Sequence, residues 1–184
     1  MKIVLATDFS TPAAHAATLA AALAKKLGDG IVLAHVVEAP ALAYPELIAD
    51  FEALEKAMRS KAEQRLREEA DKLRAQGLVV DERVLEGHAP DRLADCAKEV
   101  GARLIVVGTH GRRPVPRFFL GSVAERVVLT ADRPVLVAHP MPSSHGLEDW
   151  AKSTRRLRVT VALDHSAPSA AAVDWVRTLR KVVP

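Results

Sequence analysis

The chain is poor in the residues that mark disulfide-stabilised, base-stacking and membrane proteins. Among its 184 residues there is one cysteine, Cys96, which excludes an intrachain disulfide and fits a reducing compartment. Aromatic residues make up 4% of the chain, too few to build platforms for stacking single-stranded bases. No apolar run reaches about 18 residues, and Asp8 interrupts the apolar core that a signal peptide would need. These absences favour a soluble globular protein of the cytoplasm.

Several motifs of known ligand sites are missing as well. The sequence has no Walker-type loop ending in Gly-Lys-Ser/Thr, no G-x-G-x-x-G after its first predicted strand, and no histidine–cysteine cluster with metal-binding spacing. A phospho-receiver domain is not expected, because the matching positions hold only Asp8, Glu86 and His139. The net charge of +3 is too small to indicate nucleic-acid binding by itself. What the chain does contain is therefore the better guide to its ligand.

Continuous apolar runs alternate with helix-like segments along the first 140 residues. The runs are short and unbroken, as in strands buried on both faces of a parallel sheet. The alternation predicts an α/β fold, an open five-stranded parallel sheet with helices on both faces. The predicted strands cover residues 3–6, 31–37, 78–85, 104–107 and 134–138, and the predicted helices cover residues 11–28, 45–76, 90–100 and 122–128.

Local sequence signals refine these elements. Thr11 followed by Pro12 predicts the N-cap and the first helical position of the first helix. The third strand is charged at residues 81–83 and is therefore expected at an edge of the sheet. The second helix is expected to bury one apolar stripe. That stripe consists of Leu47, Phe51, Leu54, Met58, Leu66 and Leu73.

A glycine-rich segment follows the fourth predicted strand. Gly108-Thr109-His110-Gly111 stands at the strand end, and after nine further residues Gly121-Ser122-Val123 opens a predicted helix. Glycine lets the backbone turn sharply and approach a ligand closely, and a helix N-terminus offers unpaired N–H groups that suit a phosphate. The residues between include Arg112, Arg113 and Arg117 and no acidic side chain. The segment therefore predicts a polyphosphate site.

The spacing of this segment is glycine, two residues, glycine, nine residues, then glycine followed by serine. That pattern resembles the universal stress protein family, and the resemblance covers residues 1 to about 140. The resemblance implies the strand order 3-2-1-4-5 of an adenine-nucleotide α-hydrolase-like fold. The alternation of strands and helices by itself also allows the flavodoxin-like order 2-1-3-4-5. The matching positions are Gly108, Gly111, Gly121 and Ser122, with further similarity at residues 3–10, 35–36 and 121–127.

The resemblance implies a member of the subgroup that binds ATP, with Mg²⁺ as the accompanying cation. Asp8 would accept hydrogen bonds from the ribose hydroxyls, and Val36 would hold the adenine through its backbone. Arg117, the arginine nearest the helix start, is the candidate for the distal phosphate. The other implied contacts are Ala6 and Thr7 at the base, Val107 and Gly108 at base and ribose, and His110, Gly111, Gly121, Ser122 and Val123 around the phosphates.

Each assignment has a simpler structural alternative. Asp8 can merely end the first strand or cap the next helix, although its place at the switch point favours ligand contact. Ser122 can be only the N-cap of the fourth helix, and His110 can be a solvated loop residue. His35 lies inside a strand and is expected to be a packed, hydrogen-bonded core histidine instead of a ligand.

The family resemblance implies a nucleotide-dependent regulator or protector in the stress response. Fast catalysis is not expected, because no residue near the glycine segment is an evident base for activating water, so ATP hydrolysis is at most slow. The alternatives are an ATP-using enzyme, a slow ATPase or an adenylyl or phosphoryl transferase, and a protein-interaction module that the nucleotide only stabilises. Because family members commonly dimerise through the fifth strand, a homodimer through residues 133–139 is expected.

The sequence continues past this domain with an internal repeat. The segment from residue 158 repeats the one from residue 2 at a constant offset of 156, which places Asp164 over Asp8 and Pro168 over Pro12. The expected organisation is a universal stress protein domain at 1–140, a linker at 141–157, and a partial second repeat of one strand and one helix at 158–184. The repeat has no glycine segment, so one complete nucleotide site is the maximum. Its apolar side chains are expected to be covered by the first domain or by a partner chain.

Overall fold

Strands and helices alternate in a computed structural model that describes residues 1–38, 48–109, 120–139, 160–162, 164 and 167–182. The strands are β1 (Lys2–Ala6), β2 (Gly30–Val37), β3 (Val80–Glu86), β4 (Leu104–Gly108) and β5 (Val135–Ala138). The helices are α1 (Thr11–Leu27), α2 (Ile48–Arg74), α3 (Ala89–Glu99), α4 (Ser122–Thr130) and α5 (Ala167–Val182).

The five strands form one parallel sheet in the order β3-β2-β1-β4-β5. β1 is central, because Ile3 pairs with Ile31 of β2 on one side and with Leu104 of β4 on the other. The crevice above the carboxyl ends of β1 and β4 is therefore the switch point of the sheet. The predicted α/β class and the 3-2-1-4-5 order are confirmed, and so is the edge position of the charged β3.

Alternate strand residues build two apolar cores, one on each face of the sheet. Ile3 and Leu5 of β1 face the side covered by α1 and α2, whereas Val4 faces the side covered by α3 and α4. All three side chains are fully buried, and each such burial stabilises the fold by about 1.5–3 kcal/mol. Cys96 of α3 is a buried thiol in the second core, as a helical position inside the protein predicts. Because both faces are covered, a ligand has access to the sheet only at the ends of the strands.

Helix α1 begins one residue earlier than the sequence indicated. Its N-cap is Ser10, whose Oγ accepts a hydrogen bond from the Ala13 N–H over 3.3 Å, so Thr11 and Pro12 are the first two helical residues. The prediction of Thr11 as the cap is wrong, because serine caps as well as threonine does and proline is tolerated throughout the first turn. Gly28 ends the helix in the left-handed conformation, with φ of 66°.

Helix α2 packs on β2 and β3 through a stripe that differs from the predicted one. Leu54 is 49% exposed, so its predicted place in the buried stripe is wrong. Alanines take two of the buried positions nearer the sheet, which lets the helix lie close to it. Leu47 and the side chain of Phe51 lie outside the described part of the helix. The buried side chains of the stripe are Ala62, Leu66, Ala70 and Leu73.

The buried Asp29 forms ion pairs at the amino end of the sheet, opposite the switch point. Arg103 Nε lies 2.7 Å from Asp29 Oδ2, and the Met1 amino group lies 2.8 Å from Asp29 Oδ1. The Asp29 side chain is only 1% exposed, so loss of its cationic partners would leave a buried charge uncompensated. The amino end of the sheet is thus held by charge pairing, whereas the carboxyl end carries polar turns.

Helix α5 follows the segment predicted to hold the first strand of the partial repeat. Residues 160–162 and 164 are not in a strand, and the other predicted strand positions, like the linker, lie outside the described residues. Trp175 of α5 is partly buried against the core on the α1 side of the sheet. Among the helices described, α5 included, none is both long and apolar enough to cross a membrane.

Candidate functional site

The carboxyl ends of β1 and β4 bring two distant segments of the sequence together. The strands are hydrogen-bonded neighbours, with Leu5 paired to Val106. Thr7 and Asp8 follow β1, while Gly108 ends β4 directly before Thr109. Both halves of the predicted site therefore lie at one edge of the sheet, in the crevice where open α/β sheets bind ligands.

The turn between β1 and α1 is held by its own side chains. Thr7 Oγ1 accepts a hydrogen bond from the Phe9 N–H, and Asp8 Oδ1 accepts one from the Ser10 N–H, both over 3.0 Å. Phe9 has φ of 63°, in the left-handed region, which costs a residue other than glycine about 1–3 kcal/mol. Ser10, and not Asp8, caps α1, so the alternative in which Asp8 serves as the helix cap is wrong. Asp8 is thus presented by a turn of defined shape.

Strand β2 supports this turn from the side. The Thr7 N–H donates to Ala34 O over 2.9 Å, and His35 Nδ1 donates to Thr7 O over 2.7 Å. The His35 ring also contacts the Phe9 ring, with 4.4 Å between centroids. The prediction of a packed, hydrogen-bonded His35 is confirmed. Val36 is partly buried on the opposite face, against the core beneath α3 and α4.

Helix α2 adds two charged residues that no sequence motif singles out. Arg65 Cζ lies 4.3 Å from the centroid of the Phe9 ring, and Arg65 Nη2 donates to Phe9 O over 3.4 Å. The partly buried Glu69 receives a hydrogen bond from the Thr7 hydroxyl, while its Oε2 is buried without a hydrogen-bond partner among the described residues. Burial, with a smaller effect of the nearby Asp8 carboxylate, raises the pKa of Glu69. A network of four elements therefore surrounds the β1–α1 turn.

Packing against α1 favours a glycine at position 108. A Cβ on Gly108 would lie 3.0 Å from the carbonyl carbon of Pro12 and 3.1 Å from its oxygen. Such contacts are tighter than those of most Cβ atoms, so a side chain here requires the Pro12 backbone to shift by a few tenths of an ångström. The first glycine of the motif therefore has a packing role in addition to any role at a ligand.

The N-terminus of α4 has no side-chain cap. Gly121 is the N-cap, with φ of −68° and ψ of 152°, and its N–H donates to Thr109 O over 2.6 Å. Ser122 is the first helical residue and is exposed, so the alternative of Ser122 as the N-cap is wrong. Val123 follows and is 39% exposed. The N-cap glycine offers the first-turn N–H groups no side chain to donate to, which makes this terminus suited to an anion.

Thr109, between β4 and α4, carries an orphaned hydroxyl. The residue is 4% exposed, and its Oγ1 has no hydrogen-bond partner in the part of the chain that the structure describes. Burying a hydroxyl without such a bond is unfavourable, and native proteins rarely tolerate it. The Thr109 carbonyl accepts the hydrogen bond from the Gly121 N–H, so the residue is joined through its backbone to the N-cap of α4. Its hydroxyl is the kind of group that a polar ligand satisfies.

Most of the predicted site residues share this edge of the sheet. Within the described ranges no group of histidine, cysteine, aspartate and glutamate could hold a metal ion. The predicted residues at the carboxyl edge are Ala6, Thr7, Asp8, Val36, Val107, Gly108, Gly121, Ser122 and Val123. The predicted residues outside the described part are His110, Gly111, Arg112, Arg113 and Arg117.

The sequence of this chain matches a known protein family. Residues 1–139 match the model of the universal stress protein family. A universal stress protein of Methanocaldococcus jannaschii is 30% identical over 136 residues, which are 74% of this chain and 80% of that protein.

Solved structures of similar fold include two that are complexes with a nucleotide. The universal stress protein from Archaeoglobus fulgidus in complex with dAMP is 29% identical, with a TM-score of 0.55 over 74% of this chain and 96% of that one. A universal stress protein in complex with cAMP is 26% identical, with a TM-score of 0.57 over 76% of this chain and 97% of that one. A longer universal stress protein from A. fulgidus, 22% identical, has a similar fold over 99% of this chain and 63% of its own, with a TM-score of 0.72.

Proposed function

The chain belongs to the universal stress protein family, and from that premise we propose that it binds an adenine nucleotide, ATP with Mg²⁺, above β1 and β4. The observation that carries the proposal is Thr109, whose buried hydroxyl has no hydrogen-bond partner among the described residues and whose carbonyl is bonded to the N-cap of α4. A buried hydroxyl donor and the positive end of a helix both suit phosphate oxygens. The relatives in complex with dAMP and cAMP support the adenine part of the proposal.

The two halves of the proposed site hold different parts of the nucleotide. Asp8 accepts hydrogen bonds from the ribose hydroxyls, and Val36 meets the adenine through its backbone. The Gly121 N–H already donates to Thr109 O, so Gly121 contributes the absence of a side chain, and Ser122 and Val123 supply N–H groups to the phosphates. The remaining proposed contacts are Ala6 and Thr7 beneath the base, Val107 and Gly108 beside base and ribose, and His110, Gly111 and Arg117 at the phosphates.

The proposed role of the nucleotide is regulatory or protective, in the stress response of the cytoplasm. Mg²⁺ accompanies ATP on its phosphates and not on a protein cluster, in keeping with the preference of this ion for phosphate oxygens and water. Hydrolysis is at most slow. A turnover assay run beside binding tests this part, because rapid release of phosphate or pyrophosphate would instead identify an ATP-using enzyme.

Nucleotide extraction tests the proposed ligand directly. Protein purified without added nucleotide is denatured, and the released small molecules are identified by mass spectrometry. We expect adenine nucleotides, and calorimetric titration of stripped protein should show tighter binding of ATP than of GTP. Protein that releases no nucleotide and shows no heat of binding with AMP or ATP would overturn the proposal.

Two substitutions test the placement of the nucleotide within the crevice. Asp8→Ala should weaken both AMP and ATP by about tenfold, roughly 1.4 kcal/mol, because the ribose contact is common to the two ligands. Arg117→Ala should weaken ATP more than AMP, because its proposed target is the distal phosphate. Asp95→Ala, which removes an exposed carboxylate of α3, is the matched control and should change neither affinity. Equal effects of Asp8→Ala and Asp95→Ala would place the ribose elsewhere.

The proposal extends to the partial second repeat at residues 158–184 and the linker at 141–157. α1 begins at Thr11 and α5 at Ala167, which is the same offset of 156 at which the sequence repeats. The longer relative from A. fulgidus has a similar fold over nearly all of this chain, α5 included, which supports a tandem arrangement. In this arrangement residues 1–140 hold the proposed nucleotide site.

The proposed quaternary state is a homodimer formed through β5 and its flanks, residues 133–139. The strand Val135–Ala138 carries no charge and ends the sheet, so one side of its backbone is available for pairing. The other edge strand, β3, carries Asp81, Glu82 and Arg83, which discourage edge-to-edge pairing.

A further inference from the structure

The turn that presents Asp8 keeps an unusual backbone shape without a glycine. Phe9 has φ of 63° in a turn whose other residues are Thr7, Asp8 and Ser10. The hydrogen bond from the Ser10 N–H to Asp8 Oδ1 closes a ring of atoms that includes the φ and ψ bonds of Phe9. Rotation of Phe9 to a negative φ would swing the Ser10 N–H away and break this hydrogen bond to the Asp8 carboxylate. The shape of Phe9 therefore determines where the Asp8 carboxylate points.

Two residues from other elements hold Phe9 in this shape. The His35 ring of β2 lies 4.4 Å from the Phe9 ring between centroids, tilted by 39°, and His35 Nδ1 donates to Thr7 O. Arg65 of α2 places its guanidinium 4.3 Å from the centroid of the Phe9 ring and donates to the Phe9 carbonyl. The Phe9 ring contacts His35 and Arg65, and the Phe9 carbonyl accepts a hydrogen bond from Arg65. The residue can therefore neither flip its peptide nor move its side chain away without losing contacts.

Resting on the proposed nucleotide site, we propose that Phe9, His35 and Arg65 form a clamp that positions Asp8 for the ribose hydroxyls. The clamp residues touch no part of the nucleotide in this assignment. Phe9 and Arg65 act through the pose of Asp8, and His35 also holds the backbone of Thr7. Arg65 makes the long helix α2 part of the site. The clamp therefore contributes specifically to the discrimination between a ribose with hydroxyls and one without them.

Simple core packing is the competing explanation, and it makes a different prediction. A packing defect at Arg65 or Phe9 would lower the melting temperature and weaken every nucleotide equally, or none. Loss of a clamp on Asp8 would weaken only those ligands that offer ribose hydroxyls. A ligand pair that differs in the hydroxyls alone separates the two explanations.

The experiment compares AMP with dideoxy-AMP, which lacks both ribose hydroxyls, by calorimetry on stripped full-length protein. The measured quantity is the Kd of dideoxy-AMP divided by the Kd of AMP, which reports the contribution of the hydroxyls. Arg65→Ala and Phe9→Ala should each lower this ratio by at least about threefold, with the affinity for dideoxy-AMP unchanged. Arg67→Ala, on an exposed position of the same helix, is the matched control and should leave the ratio as in the parent protein.

A double substitution tests whether the clamp acts through Asp8. In an Asp8→Ala background the hydroxyl contribution is already lost, so Arg65→Ala should cause no further loss of AMP affinity. Additive losses would show that Arg65 affects the nucleotide by another route and would overturn the proposal. The same conclusion follows if Arg65→Ala is folded and keeps the parent ratio.

Hydrogen exchange in the ligand-free protein gives a readout that does not require nucleotide. Arg65→Ala should speed the exchange of the Phe9 and Ser10 amides relative to Arg67→Ala, while amides of β1 stay protected. Unchanged exchange in the turn would overturn the clamp. A parent protein that binds neither AMP nor ATP would overturn the proposed function and the ribose role of the clamp together, whereas failure of the clamp alone leaves a parent protein that still prefers AMP to dideoxy-AMP.

Discussion

At the scale of single residues, the glycines of the motif serve different physical needs. A Cβ at Gly108 would lie 3.0 Å from the Pro12 backbone, a tight contact that a side chain would have to relieve. Gly121 has φ of −68° and ψ of 152°, a conformation open to residues with side chains. A substitution at 121 therefore tests the proposed phosphate position, whereas one at 108 also disturbs the packing of β4 against α1.

Gly121→Val should weaken ATP by at least about tenfold and leave the unfolding transition nearly unchanged, because a branched side chain would stand where phosphate is proposed to bind. Gly108→Ala should instead lower the free energy of unfolding by about 1–3 kcal/mol through overpacking against Pro12. Gly30→Ala is the control for a strand glycine, since its Cβ would meet Val79 O at an ordinary 3.4 Å. Calorimetry and urea unfolding measure the two effects. Undiminished ATP affinity in folded Gly121→Val would contradict the proposed phosphate position.

Glu69 predicts a pH dependence of stability at the same turn. Burial raises the pKa of Glu69 in the folded protein, so this group favours the folded state below its unfolded pKa of about 4.3 and loses that contribution as the pH rises through the folded value. Glu69→Gln keeps an acceptor for the Thr7 hydroxyl and removes the buried charge. The variant should melt higher than the parent at pH 7, and the difference should vanish on acidification below about pH 4.3. Melting curves that run parallel over this range would contradict the effect of burial.

At the scale of the elements, the sequence was most informative where periodicity and glycine spacing set the structure. The strands and helices of the first domain were predicted from continuous apolar runs and from stop residues such as Gly28 and Gly77. The order of the strands came only from the family resemblance, since alternation alone fits two orders. Local signals did not decide between Ser10 and Thr11 for the cap of α1, and apolar periodicity alone placed the exposed Leu54 in the buried stripe of α2.

The parts of the site that the sequence did not reveal depend on contacts between elements. Arg65 and Glu69 stand among other charged residues of α2, and their spacing matches that of the solvated pairs Arg59–Glu63 and Gln64–Glu68. Nothing local distinguishes a charge that meets Phe9 from one that meets water. The left-handed backbone conformation of Phe9 could not be predicted for the same reason, because contacts with β2 and α2 stabilise it.

Helix α5 should be a docked element and not a solvated tail. Trp175 is partly buried against the core on the α1 side, and neighbouring Val173 and Val176 are half-buried as well. Amides of Ala167–Val182 should therefore exchange more slowly than those of an isolated helix, as hydrogen-exchange mass spectrometry can measure. Trp175→Ala should remove the protection of α5 while the strands stay protected. Unprotected amides throughout α5 in the parent protein would refute docking.

At the scale of the whole molecule, the two edges of the sheet differ in charge, and this difference predicts the assembly. Light scattering at micromolar concentration should give the mass of a homodimer. Val135→Lys places a charge on the uncharged edge strand β5 and should yield monomers. Val79→Lys places the same charge beside the other edge, at a residue 80% exposed, and should leave the dimer intact. A monomeric parent protein, or equal behaviour of the two variants, would rule out pairing through β5.

Removal of residues 141–184 tests how the partial repeat relates to the rest of the molecule. The shortened chain keeps every element of the proposed nucleotide site and should bind ATP within about threefold of the parent. It also uncovers the apolar surface that Trp175 contacts, so its oligomeric state or solubility should change. Loss of ATP binding in a folded shortened chain would assign part of the site to the repeat.

The contact between Gly108 and Pro12 also bears on how chains of this kind diverge. A lineage that abandoned its ligand would still favour glycine at position 108, because a Cβ there would press on the Pro12 backbone of α1. Position 121, with a backbone conformation that most residues adopt, would be released to drift once phosphate no longer selected for it. Among chains of this kind, the residue at position 121 should therefore change with the loss of nucleotide binding, whereas the residue at position 108 should not.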